Sequence, residues 1–129
     1  MDVVDSFNLP VDDMKRAKKF YEDVFGWEIS AVPGSGGNYH AATTVPVDEK
    51  GQPKVSRGGI NGGLFQRGTH GLEGISLEIN VSSIDECLKK IEAVGGKTVM
   101  PKSPILNFGF FALFMDTEGN IIGLWEDAK

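Results

Sequence analysis

Two stretches of the chain, 70 residues apart, decide its fold: VDDMKRAKKFYEDVFGWEI at residues 11–29 and VSSIDECLKKIEAVGGKTV at residues 81–99. Each stretch begins with a valine and two polar residues, continues with apolar residues at three- and four-residue spacing, and then reaches glycine. That order is typical of an amphipathic helix with a defined start and stop. Because all three features coincide when the stretches are superimposed, we predict two helices that belong to copies of one unit.

The ends of both helices carry capping signals. Asp12 and Asp13 can accept hydrogen bonds from the free N–H groups in the opening turn of the first helix, and Gly26 can adopt the left-handed conformation that ends it. In the second copy, residues 83–86 have the spacing of a capping box and the glycines at 95–96 stop the helix. Cys87 falls on the apolar stripe, where a small buried residue is expected.

Segments that predict β-strands flank each helix. They are Val4–Leu9, Trp27–Ala31, Tyr39–Val45 and Ile60–Gln66 around the first helix, and Ile75–Val81, Lys97–Met100, Gly109–Met115 and Asn120–Glu126 around the second. The order βαβββ therefore occurs twice, which predicts an α+β fold with a cupped mixed sheet. We expect one domain over residues 1–129, with module one at about 1–67 and module two at about 72–129. Residues 46–59 are expected to form an exposed hairpin excursion.

Two of these strands have a polar face opposite an apolar one. From Ile75 to Val81 the odd positions are aliphatic and the even positions are polar, and Ser6 and Asn8 alternate with apolar neighbours in the same way. With a period of two, one face packs under a helix and the other faces a wetter space. A polar inner face on a curved sheet predicts a ligand cleft.

Composition excludes several classes of protein. The net charge of −5 argues against a nucleic-acid-binding surface, which would need clustered basic residues. A single cysteine excludes a disulfide within the chain. No apolar run approaches the roughly 20 residues that a membrane helix needs, and the N-terminal residues lack the pattern of a secretory signal. We therefore predict a cytoplasmic protein with neither a nucleic-acid nor a membrane partner.

Several distinct short motifs are distributed along nearly the whole chain. They are NLPVDD at 8–13, FYEDVFGW at 20–27, GGLF at 62–65, IDE at 84–86, GGK at 95–97, MPK at 100–102, DTEGN at 116–120 and GLWE at 123–126. The set resembles the vicinal-oxygen-chelate superfamily of glyoxalases, bleomycin-resistance proteins and dioxygenases, and it is most similar to the branch related to lactoylglutathione lyase. The resemblance implies paired βαβββ modules, a cupped sheet and, for single-domain chains, a homodimer.

The resemblance also implies where a divalent metal would bind. Active members hold one metal through four His or Glu side chains, and the first, third and fourth places correspond here to Ser6, Ser76 and Gly123. No His or Glu lies near the second place, at residues 61–64. Serine hydroxyls and a glycine cannot replace the imidazole and carboxylate ligands that a catalytic divalent site needs. We therefore predict a site without a metal or another cofactor.

The predicted function is the binding of a small apolar or aromatic molecule in this metal-free cleft. The expected floor consists of Ser6, Asn8, Ser76, Glu78 and Gly123, the expected walls are Phe110, Phe114 and Trp125, and His40 is a further candidate for ligand contact. Alternation places Phe110 and Phe114 on one face of their strand and Phe111 on the other, so one set lines the core and the other the cleft. His70 lies between glycines and is expected in a solvated turn.

Three alternatives remain open at this stage. The first is a divalent-metal-dependent lyase, isomerase or dioxygenase with rearranged ligands such as His40 and Glu78. The second is metal-free proton transfer with Glu78 as the catalytic base. The third is a protein-interaction module in which the aromatic residues serve a dimer instead of a ligand.

Overall fold

The structure, a computed structural model, describes residues 1–50 and 58–129. Its elements follow the order β1 (Val3–Val11), α1 (Met14–Phe25), β2 (Glu28–Ala31), β3 (Tyr39–Thr43), β4 (Asn61–Gln66), β5 (Ser76–Asn80), α2 (Ile84–Ala93), β6 (Lys97–Ile105), β7 (Gly109–Met115) and β8 (Ile121–Asp127). This order is βαβββ twice, so the predicted α+β fold is confirmed. Part of the expected hairpin excursion, residues 51–57, lies outside the described residues.

The first compact unit comprises Ser6–Ile75 and has the strand order β2-β3-β4-β1. Strands β1 and β4 run parallel, and β4 pairs with β3 in the antiparallel direction. Helix α1 covers one face of this sheet through a buried cluster of Val11, Ile29, Ala42 and Leu64. The partly buried Met14, Ala17 and Tyr21 of α1 pack against that cluster, as the apolar stripe of the sequence predicts.

The second compact unit joins Met1–Asp5 to Ser76–Lys129 and has the strand order β5-β8-β7-β6. Helix α2 covers one face of this sheet. The buried cluster on that face contains Val81, Ile84, Leu88, Ala112, Phe114 and Leu124. Cys87 is partly buried against the same cluster, and burial raises the pKa of its thiol. The sequence predicts a small buried residue at this position.

The helix caps form as the sequence predicts. The side chain of Asp13 accepts a hydrogen bond of 3.0 Å from the Arg16 N–H, and Gly26 ends α1 with a left-handed φ of 72°. The side chain of Ser83 accepts from the Glu86 N–H at 3.2 Å, which caps α2 in the corresponding place. Both helices therefore begin, and α1 also ends, through contacts encoded within a few residues of the helix, whereas α2 ends at Val94, just before the predicted glycines.

Strand β6 is the element whose length differs most from the prediction. It was expected to end at Met100, but it continues to Ile105 through two prolines, with irregular register near Met100. Proline has no N–H to donate, which disfavours it in the middle of a sheet. Because β6 is the last strand in the order of its unit, it can carry these residues without breaking a pair on its outer side.

A buried carboxylate fastens α2 to the sheet beneath it. Glu126 on β8 is 7% exposed, and its Oε1 accepts from the Ile84 N–H at 2.7 Å. Its Oε2 accepts from Lys102 Nζ at 2.9 Å, and that ammonium lies 4.3 Å from the centroid of the Phe110 ring. The hydrogen bonds from Ile84 and Lys102 lower the pKa of Glu126, so the carboxylate stays charged in the folded protein.

No helix among the described residues is long and apolar enough to cross a membrane.

Candidate functional site

In the unit formed by Met1–Asp5 and Ser76–Lys129, the face of the sheet away from α2 combines aromatic rings with a carboxylate. Register pairs Glu78 with Gly123 and Phe111 with Trp125, so these four residues lie on one face. Their neighbours in the sequence, including Ile79, Ala112 and Leu124, pack on the α2 side instead. We call the set Glu78, Phe111, Gly123 and Trp125 the aromatic–acid face.

Gly123 lies in the middle of the aromatic–acid face because its neighbours occupy the space above it. A Cβ at this position would lie 2.8 Å from Glu78 Cγ and 3.0 Å from Phe111 Cε1. The Trp125 ring likewise packs against Gly109, where an added Cβ would lie 2.6 Å from Trp125 Cζ2. Two glycines therefore let aromatic rings lie close against the backbone of the sheet.

Polar groups border the aromatic–acid face. The indole N–H of Trp125 donates to Asp127 Oδ1 at 2.9 Å. The Asn80 side-chain amide donates to Asp5 Oδ2 at 3.0 Å and to Asp127 Oδ2 at 3.4 Å. These bonds fix the orientation of the indole and hold two carboxylates at one edge of the face.

The predicted wall residues Phe110 and Phe114 lie on the other side of the sheet. Phe114 is only 9% exposed and belongs to the buried cluster under α2, and Phe110 packs against the same cluster. Their placement on the cleft wall is therefore wrong, because α2 covers that face of β7. Phe111, which alternation put on the opposite face, is the ring beside Trp125 and Gly123.

Ser76 is inaccessible, although it was expected on the cleft floor. It is 3% exposed, and its hydroxyl donates to the main-chain oxygen of Ile121 at 2.9 Å. Because this bond uses the only proton of the hydroxyl, Ser76 serves the packing of β5 against β8.

In the unit Ser6–Ile75, the face of the sheet away from α1 is filled by a cluster that the sequence did not predict. The Tyr39 hydroxyl donates to Asn8 Oδ1 at 3.1 Å, and its ring lies over Gly63, where it would clash with an added Cβ. The His70 ring lies 5.6 Å from the Tyr39 ring and 6.2 Å from the Phe65 ring. Asn8, expected on the cleft floor, is 2% exposed in this cluster, whereas Ser6 is half-buried.

The two histidines occupy different environments in this unit. His40 pairs in register with Leu64, so its ring projects to the α1 side, opposite Tyr39. Its Nδ1 is buried without a hydrogen-bond partner among the described residues. His70 is exposed overall, as expected for a turn, but burial of part of its ring lowers the pKa of the imidazole.

The donor groups of the chain do not fit the divalent metal that the resemblance implies. Ser76 is buried and bonded to a carbonyl, and the place of the fourth ligand is Gly123, above which Phe111 and Glu78 already lie. No group of three or more His, Cys, Asp or Glu side chains with metal-binding geometry exists in residues 1–50 and 58–129. Residues 51–57 contain none of these four residue types. Within the part of the chain that the structure describes, the residues at these places therefore do not provide the imidazole and carboxylate ligands that such a metal needs.

Comparison with known proteins identifies relatives over most of the chain. The family model "Glyoxalase/Bleomycin resistance protein/Dioxygenase superfamily" matches residues 3–124. The candidate glyoxylase CFP32 of Mycobacterium bovis is 30% identical over 121 residues, which cover 92% of this chain and 43% of that protein. The anthracycline biosynthesis protein DnrV of Streptomyces peucetius is 28% identical over 128 residues, which cover 93% of this chain and 45% of that protein. The chain thus spans less than half the length of these two relatives.

Among solved structures, similarity extends to a methylmalonyl-CoA epimerase from Streptomyces coelicolor in complex with 2-nitronate-propionyl-CoA. The TM-score is 0.69 at 14% sequence identity, and the match covers 98% of this chain and 97% of the epimerase chain. At this identity the likeness establishes a shared fold alone.

Proposed function

The chain belongs to the glyoxalase/bleomycin resistance protein/dioxygenase superfamily, and we propose that this member binds an apolar or aromatic small molecule without a divalent metal. The binding surface is the aromatic–acid face. Phe111 and Trp125 provide ring surface, and Glu78 provides one polar group that orients the ligand.

The observation that carries this proposal is the close packing around Gly123. Phe111 and Glu78 lie within about van der Waals distance of the space that a side chain at 123 would need. A ring therefore lies beside the position at which the resemblance puts a metal-ligating carboxylate. Such a surface favours a planar apolar ligand, since aromatic pairs prefer offset-stacked or edge-to-face contact.

The name of one relative agrees with this ligand class. DnrV is named for anthracycline biosynthesis, and anthracyclines are polycyclic aromatic compounds. We do not transfer that pathway to this chain, because DnrV is more than twice as long as the matched region. The shared chemistry is a planar aromatic body, which is what the rings of Phe111 and Trp125 can contact.

The strongest alternative is catalysis by Glu78 without a metal. Its stem lies beside Gly123 and Phe111, where a carboxylate could accept a proton from a bound carbon acid. In that case Glu78→Gln would abolish turnover while leaving ligand affinity within a factor of about two. Loss of affinity without any turnover by the parent protein would instead support a binding role alone.

The binding proposal is tested with a set of planar aromatic compounds, measured by thermal shift and then by calorimetry. Phe111→Leu should weaken the tightest binder about fivefold, since it removes ring contact worth roughly 1 kcal/mol. Phe108→Leu is the matched control, because Phe108 is 59% exposed in the loop before β7 and lies outside the aromatic–acid face. Equal affinities of both variants and the parent would contradict the proposed surface.

A further inference from the structure

The geometry points to a second binding site, for a small aromatic carboxylate, in a groove between α1 and the C-terminal end of β1. The groove lies wholly within the unit Ser6–Ile75, is open to solvent, and has a volume of about 350 Å³. Its lining includes Pro10, Asp12, Arg16, Phe20, Tyr21 and Arg67. That volume falls at the lower end of the range for small-molecule sites, enough for a one- or two-ring compound. None of these residues belongs to the aromatic–acid face.

Arg67 is held in place on the groove wall. Its Nε donates to Asp12 Oδ1 at 2.8 Å, and its main-chain N–H donates to the Val11 oxygen at 2.8 Å. The side-chain amide of the preceding residue, Gln66, donates to the main-chain oxygen of Asp12 at 3.0 Å. Because these bonds fix both Arg67 and its partner, the two terminal nitrogens of the guanidinium are presented in a defined direction.

Arg16 contributes a second guanidinium to the groove, whose lining holds two carboxylates, Asp12 and Asp13, and two guanidinium groups, Arg16 and Arg67. Asp12 is paired with Arg67, and the carboxylate of Asp13 is engaged by the Arg16 main-chain N–H at the start of α1. The guanidinium of Arg16 makes no ion pair within residues 1–50 and 58–129. A planar guanidinium binds a carboxylate through two parallel hydrogen bonds, so a carboxylate is the group that it would select.

An aromatic wall adjoins the two guanidinium groups. Phe20 is 54% exposed on α1, and its ring meets that of Tyr21 edge-on at a centroid distance of 5.1 Å. Tyr21 in turn stacks on Trp27 at 4.7 Å, nearly parallel at 7°. The Phe20 ring is therefore held in place on one side and free on the other. An aromatic ligand that covers it removes apolar surface from water while its carboxylate reaches Arg16.

The experiment uses 2-naphthoate as the probe and the full chain, with binding followed by isothermal calorimetry. Arg16→Gln should raise the dissociation constant about tenfold, which corresponds to roughly 1.4 kcal/mol. Lys15→Gln is the charge-matched control, since Lys15 is exposed on the same helix and does not line the groove. It should leave the dissociation constant within a factor of about two, because exposed distant charges are screened.

Two further measurements distinguish specific binding in the groove from nonspecific electrostatic attraction to the protein. The neutral 2-naphthamide should bind the parent chain more weakly than 2-naphthoate does. The two compounds should bind the Arg16→Gln variant with equal affinity. Phe20→Ser should also weaken 2-naphthoate binding, and circular dichroism of this variant checks that it is folded. Absence of saturable binding, equal effects of Arg16→Gln and Lys15→Gln, or indifference to Phe20→Ser would each overturn the site. Because Phe111→Leu acts in the other unit, its effect reports on the aromatic–acid face separately.

Discussion

At the residue scale, single side chains decide how the two sheet faces are used. Glu126 serves the α2 side, where it accepts from the main chain of α2 and from Lys102. Gly123 serves the opposite side, where its missing side chain leaves room for Phe111 and Glu78. Both residues lie on β8 three positions apart, so alternation along one strand separates the structural role of Glu126 from the binding role that we propose for the opposite face.

Loss of the Glu126 carboxylate should destabilise the fold. Glu126→Ala leaves the Ile84 N–H without its partner and the Lys102 ammonium without its counter-charge, at a cost of roughly 2–3 kcal/mol in the free energy of unfolding. Urea denaturation measures this loss. Glu92→Ala, an exposed position on α2, should change the free energy of unfolding by less than about 0.5 kcal/mol. Equal losses of unfolding free energy in Glu126→Ala and Glu92→Ala would mean that the hydrogen bonds of Glu126 contribute nothing to stability.

The same carboxylate predicts a pH dependence. Its pKa in the folded protein is lowered below the ordinary value of 4.5. Its contribution to stability is therefore fully present above that value and is lost as the pH falls through the lowered pKa. The difference in unfolding free energy between the parent chain and Glu126→Gln should be constant from pH 7 to about pH 5 and then shrink on acidification. A difference that grows below pH 5 would contradict the assignment.

Filling the space above Gly123 should weaken ligand binding on the aromatic–acid face. Gly123→Ala pushes the Glu78 stem and the Phe111 ring aside, and such overpacking costs roughly 1–3 kcal/mol of stability. Gly74→Ala provides the control, because an added Cβ there meets no atom within 4 Å. Thermal unfolding and calorimetry with the same aromatic ligand compare the two variants. Unchanged affinity in Gly123→Ala would show that the ligand binds elsewhere.

At the element scale, local signals predict the helices well and the sheet faces less well. The caps at Asp13 and Ser83 and the stop at Gly26 depend on contacts within a few residues, so the sequence is sufficient to find them. The face of β7 that α2 covers depends on a helix many residues away along the chain. For that reason alternation separated Phe110 from Phe111 correctly, but the prediction that Phe110 lines the cleft was wrong.

The cluster of Asn8, Tyr39, Phe65 and His70 also depends on contacts between distant parts of the chain, which local sequence patterns do not predict. Tyr39 reaches Asn8 across β4 only because Gly63 leaves space between them. The sequence contains the glycine, but the contact joins residues 31 positions apart, and periodicity within one strand cannot reveal it. The assignment of Ser6, Ser76 and Gly123 to the metal-ligand places comes from the family resemblance and stays a prediction.

The helix caps provide a prediction at the scale of the element. Asp13→Ala and Ser83→Ala should each lower the free energy of unfolding by about 1 kcal/mol, since each leaves one N–H of the first helical turn without its partner. Ser82→Ala, next to the cap of α2 and exposed, should have little effect. Chemical denaturation followed by circular dichroism measures all three. If Ser82→Ala proved as costly as Ser83→Ala, the assigned cap position would be wrong.

At the scale of the whole molecule, family membership leads us to propose a homodimer. Sedimentation velocity over a range of protein concentrations should then give the mass of two chains. A monomer at every concentration would contradict this proposal and would also remove the alternative of an interaction module built around a dimer. The residues of the aromatic–acid face all belong to one unit of one chain.

The central claim is that this member of the superfamily binds its ligand without a divalent metal. The most direct test is elemental mass spectrometry of untagged protein, followed by thermal unfolding in the presence of nickel, zinc, cobalt, manganese or iron. A metal that binds only the folded chain raises its melting temperature by mass action. We expect far less than one metal ion per chain and no change in melting temperature with any of the five. One tightly bound ion per chain, or a large shift with one metal, would contradict the account and favour a metal-dependent lyase, isomerase or dioxygenase.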